Sequence, residues 1–143
     1  MLPKSVTLPK RETLVGLRGG IVFANQFGGG LDEFLAQRLS IEEMPRLDLG
    51  LKMLELDRLD YFITGYYPGM TYLLDQGLEG SYLVQRPFVV ATDNFVGISR
   101  RSRCFARLEG LDAVLARMKR DGELDRIFNA ATEVWRSRAA KAG

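Results

Sequence analysis

Residues 14–35 read LVGLRGGIVFANQFGGGLDEFL, and this stretch decides the fold class. Ile21, Val22, Phe23 and Ala24 form an unbroken apolar run, the pattern of a strand covered on both faces of a mostly parallel sheet. Gly28, Gly29 and Gly30 follow at once. Leu31, Phe34, Leu35 and Leu39 then recur at helical spacing. A glycine loop that feeds a helix exposes backbone N–H groups that no intrahelical carbonyl satisfies, a seat for a carboxylate or another anion.

The same grammar continues downstream. Glu42, Glu43 and Pro45 interrupt the pattern before Asp48, which the sequence offers as an N-cap. Leu47, Leu51 and Leu54 give a short helix one apolar face to about Asp57, weakened by Gly50. Tyr61 to Thr64 reads as a second buried strand ending at Gly65. Pro68 suits the first turn of a further helix that buries Met70, Leu73 and Leu74 and stops at Gly77 and Gly80. Residues 81–85 and 88–90 read as short strand pieces around Arg86-Pro87, and residues 95–99 as another strand. From Phe105 the pattern is helical, with Leu108, Leu111, Leu115 and Met118 on one stripe. Asp121-Gly122 closes that helix. A last helix carries Leu124, Ile127, Phe128, Ala131 and Trp135, and the tail from Arg136 frays.

Strand alternating with helix predicts an α/β fold, a parallel or mixed sheet flanked by helices. In such sheets ligands sit beyond the carboxyl ends of the strands. That rule selects two loops, Asn25–Gly30 and Thr64–Tyr67, and makes Gln26, Phe27, Gly28, Gly29, Gly30, Gly65, Tyr66 and Tyr67 the candidate ligand-binding residues.

Composition narrows the function. The 143 residues suffice for about one domain of ordinary size, with 46% hydrophobic and 27% charged residues as in a globular protein. The net charge of +2 does not argue for nucleic acid. The chain has no histidine, which removes the commonest general base and metal ligand together. No metal, cofactor or catalytic set is expected, and the chain reads as no enzyme. Glu42/Glu43 and Asp57/Asp60 are solvated or structural carboxylates, with Asp60 capping a turn at a strand start. Arg100, Arg101, Arg103 and Arg107 read as a solvated turn rather than a nucleic-acid patch. Cys104, the sole cysteine, reads as a small apolar group. No run approaches the ~20 apolar residues of a membrane span. MLPKSVTLPKRETL at the start lacks the apolar core of a secretory signal, so an exported product would carry its signal elsewhere.

Five motifs in order resemble bacterial periplasmic solute-binding proteins of the class serving polar amino acid uptake. They are LVGLRGGIVF, the glycine loop with its helix, LKMLELDRLDYFI, NFVGISRRS and LDAVLARMKRDGELDRIF. The resemblance runs from about Glu12 to Trp135. It implies a lobe of the type II periplasmic binding fold over residues 12–90, after an extended lead-in at 1–13. Residues 91–137 would be a returning strand and two C-terminal helices, with a hinge near 91–94, and 138–143 a tail. Most of the first lobe, which in the family supplies an arginine for the ligand carboxylate, has no counterpart here. Amino-acid binders carry an acidic residue where this sequence has Gly65, so the implied solute is less cationic, amino-acid-like or an organic acid. The implied partners are that small polar ligand and the membrane subunits of an ABC-type transporter, in the periplasm. A degenerate relative acting as an interaction or sensor module is the alternative. Unpartnered C-terminal helices further predict a homodimer, with exchange of those helices as one route.

Overall fold

The computed structural model describes residues 10–86, 88–93 and 95–142, of which 139–142 as backbone only. It divides into two compact units, residues 1–92 and 93–143. The first nine residues of the predicted lead-in lie outside the described residues. Of the rest, Lys10 is extended as expected, whereas residues 11–13 are not and belong to a 3-10 turn, Arg11–Leu14.

The first unit is an α/β fold. Three strands, β1 (Arg18–Val22), β2 (Ser40–Met44) and β3 (Tyr61–Ile63), form a parallel sheet in the order β2-β1-β3. Helix α1 (Leu31–Arg38) links β1 to β2, α2 (Leu47–Glu55) links β2 to β3, and α3 (Tyr66–Asp75) follows β3. One core cluster gathers Leu14, Ile21, Leu31, Leu35 and Ile63, with Phe27, Val89 and Val90 packed against it. Met44, Leu59, Leu73 and Leu74 are buried as well.

The central strand begins earlier than its apolar run suggested and stops at Val22; the Phe23 N–H still donates to the Met44 carbonyl at 2.8 Å, and Ala24, at φ +61, turns the chain away. Gly19 and Gly20 lie inside β1, paired with Tyr61 and Phe62 of β3. A Cβ on Gly19 would stand 2.3 Å from the Tyr61 ring, and one on Gly20 2.7 Å from the Phe62 ring. The two aromatic side chains therefore cover opposite faces of the glycine pair, supplying the side-chain contact that glycine lacks. Phe62 also meets Gly50 of α2, where a Cβ would be 2.0 Å from its ring. Gly50 thus lets α2 approach the sheet closely.

Asp60 fastens the start of β3 to the start of β1. Its carboxylate accepts the Arg18 backbone N–H at 2.7 Å and the guanidinium at 2.7 and 3.1 Å, while its own N–H donates to the Arg18 carbonyl at 2.8 Å. Those donors, the guanidinium first, hold the carboxyl down at about 2.

Several local expectations are corrected. Residues 40–44 are a strand, not an interruption: β2 is an edge strand whose Glu42 and Glu43 are exposed, and charge at an edge deters stray pairing. Asp48 is not an N-cap, since α2 already begins at Leu47. Its carboxylate instead pairs with the Arg46 guanidinium in the first turn, where negative charge suits the helix dipole. Residues 81–86 and 88–90 form no strand; side-chain contacts, not a sheet ladder, hold them. Gly77 does end α3, at φ +64, and the Leu78 N–H closes back on the Leu73 carbonyl at 2.8 Å.

In the second unit, a 3-10 turn at Phe105–Arg107 leads into α4 (Leu108–Arg120), and Gly122 at φ +69 turns the chain into α5 (Glu123–Ala142). Residues 95–99 are not a strand, and Phe95 is 91% exposed. The tail predicted to fray from Arg136 continues α5 to Ala142. Leu108, Leu111, Leu115 and Met118 are half-buried, and no residue from 93 to 138 is fully buried among those described. None of the helices among the described residues is long and apolar enough to cross a membrane.

Candidate functional site

Parallel pairing of β1 with β3 sends the loops after both strands out of the same edge of the sheet. Gln26, Phe27, Gly28, Gly29 and Gly30 lie in the first loop; Gly65, Tyr66 and Tyr67 lie in the second. Gly28, Gly29 and Gly30 have φ of +68, +57 and +71, so the loop runs through three successive left-handed residues. Only glycine adopts such a run without steric cost.

The helix supplies an occupant for part of the amide cradle. The Asp32 carboxylate, in the first turn of α1, accepts the Phe27 N–H at 3.0 Å and the Gly28 N–H at 2.8 Å. The Gly28 carbonyl in turn accepts the Leu31 N–H at 2.9 Å. Gly29 and Gly30 N–H groups have no protein partner among the described residues. Arg11 donates to the Gly30 carbonyl at 3.3 Å and stacks over Phe34 at 5.7 Å. Gln26 is exposed, whereas Phe27 turns inward against the core.

Arg86 and residues 88–92 lie along this edge and touch both loops. Thr92 Oγ1 donates to the Phe27 carbonyl at 3.3 Å, and Val90 packs on Gly29, where a Cβ would stand 2.6 Å from its methyl. At the other end, Arg86 lies 5.0 Å from the Tyr66 ring centroid and 4.7 Å from that of Phe88, and the two rings are 5.2 Å apart. Tyr67 meets Tyr66 edge-on at 5.2 Å. The Arg86 guanidinium is thus positioned by cation–π contact, and it makes no ion pair with the described residues.

Reasoning from sequence treated Arg86 as part of a break between strand pieces. Its ring partner Phe88 is only two residues on, but the other, Tyr66, is twenty positions away, so no local pattern groups the three. Asp32 was also missed, although its place four residues after Gly28 in a first helical turn is a local signal. Chemically, the edge carries the guanidiniums of Arg86 and Arg11, the latter donating to the Gly30 carbonyl, with the tyrosine rings and the backbone N–H groups of Gly29 and Gly30. These are groups for binding. Among the described residues there is no cluster of three or more Cys, Asp or Glu side chains able to hold a metal ion.

No family model matches the chain, no curated protein matches it, and no solved structure matches it.

Proposed function

We propose that this chain is the second-lobe-like part of a periplasmic solute-binding protein for an ABC-type uptake system, and that it takes a small polar solute bearing a carboxylate. The reading rests on the motif order described above and on one observation: Arg86 lies over the neighbouring rings of Tyr66 and Phe88 with no carboxylate partner among the described residues, beside the loops that leave the carboxyl edge of the sheet. Arg86 would pair with the solute carboxylate, a charge-assisted contact that a guanidinium makes in two parallel hydrogen bonds. Tyr66 and Tyr67 would line the apolar part. The glycine loop contributes only the N–H groups of Gly29 and Gly30, since Asp32 has taken those before them. Closure of an opposing lobe would then bury the solute.

Calorimetric titration with a panel of amino acids and organic acids tests this. A carboxylate-bearing solute should bind, at least tenfold more weakly to Arg86→Gln, while Arg38→Gln on the exposed end of α1 changes nothing. Equal binding by Arg86→Gln would refute the site.

A second reading, an interaction or sensor module that takes no transport ligand, is favoured by the internal carboxylate of Asp32 on the Phe27 and Gly28 amides. It predicts no heat with any member of the panel.

A further inference from the structure

Helix α5 carries an exposed apolar stripe. Ile127 and Val134 are each 50% exposed, Phe128 45% and Trp135 37%, with the small Ala131 exposed between them. These residues recur at spacings of three, four and seven, so they lie on one side of the helix as a seam for another helix. The seam has a further property: the positions three and four residues to either side of Ala131 all carry large apolar side chains. Laid antiparallel on a second copy of itself, Ala131 meets Ala131, Ile127 meets Trp135, and Phe128 meets Val134. Large side chains thus face each other at the ends, and the smallest sits at the crossing, where two backbones come closest.

Charge follows the same symmetry. In that register Arg138 would fall opposite Leu124 of the other copy, with its stem over the leucine and its guanidinium within reach of Glu123. The operation repeats this pair at the other end. A two-fold interface requires this kind of self-complementarity, because one patch serves both sides. We infer that α5 is the dimer seam of this protein, its occupant a second copy in antiparallel, two-fold register about Ala131. The inference does not depend on the solute reading.

The test uses the full chain with Cys104→Ser, so that introduced cysteines are the only thiols. Sedimentation equilibrium should show a dimer, weakened at least tenfold by Ala131→Glu, which sets two carboxylates against each other at the crossing while keeping a good helix former. Circular dichroism checks that this variant keeps its helix. Under mild oxidation Ala131→Cys should link into a covalent dimer. Ile127→Cys should not, because its two copies stand about 12 Å apart along the axis, beyond disulfide reach. A mixture of Ile127→Cys and Trp135→Cys chains should cross-link. Monomer at high micromolar concentration, a dimer indifferent to Ala131→Glu, or Ile127→Cys linking as readily as Ala131→Cys would each overturn the assignment.

Discussion

The carboxylate of Asp32 accepts the backbone N–H of Gly28 at 2.8 Å, so the glycine loop is closed by a side chain of the helix it introduces. A loop of left-handed residues cannot bond to itself in helical fashion, and its amides must find water, ligand or side chain. Here the chain supplies its own anion for two of them.

Asp32→Ala should therefore destabilise the first unit by about 1–2 kcal/mol, the usual cost of losing a capping carboxylate. Asp32→Asn, which keeps an acceptor, should cost less. Urea unfolding of the three proteins measures both, and equal stabilities would show that the amides are as well served by water.

Gly50→Ala sets two effects against each other. Alanine gains up to about 1 kcal/mol in helix propensity. Its Cβ, however, would stand 2.0 Å from the Phe62 ring, and overpacking of this kind costs about 1–3 kcal/mol. Net destabilisation is expected. Gly50→Ala with Phe62→Leu should recover part of the loss, and thermal unfolding of the single and double variants measures that coupling.

Acid should act through Asp60. Its carboxyl is held at about 2 in the folded chain, chiefly by the Arg18 guanidinium and then by the Arg18 N–H. A depressed carboxylate contributes stability that is present above the ordinary carboxylate range and is lost as pH falls from about 4 towards 2. Asp60→Asn should be less stable near neutrality and should show a shallower decline over that window. An unchanged slope in acid unfolding would show the pairing to be inert.

Tyr61 presents the converse case. Its hydroxyl is buried with no hydrogen-bond partner among the described residues, and burial, with Asp60 nearby, raises its pKa to about 12. Removing an orphaned hydroxyl relieves a desolvation cost, so Tyr61→Phe should be neutral or more stable by up to about 1 kcal/mol. Thermal unfolding decides it; a marked loss would reveal a partner for the hydroxyl.

Much of the fold was legible where the pattern is local. The succession of Ile21-Val22, three glycines and a stripe from Leu31 to Leu39 carries its own periodicity change, and both observed boundaries of α1 lie within a residue of that stripe. Strand β2 was hidden because an edge strand needs few apolar residues, and only Met44 of its five is buried. Residues 81–86 and 88–90 mislead for the opposite reason: they are apolar and β-branched enough for strands, yet they join no sheet among the described residues.

The sequence alone determined the α/β class, the position of the glycine loop, and the two C-terminal helices, because those follow from spacing within a few turns of chain. Tertiary structure decided what occupies the loop's amides, which glycines lie under aromatic rings, and where Arg86 stands. Those outcomes depend on which distant segments meet across the sheet: Tyr61 covers Gly19, Phe62 covers Gly20 and Gly50, and Tyr66 holds Arg86. Pairing at such sequence separations is set by strand order and register, which no local periodicity encodes.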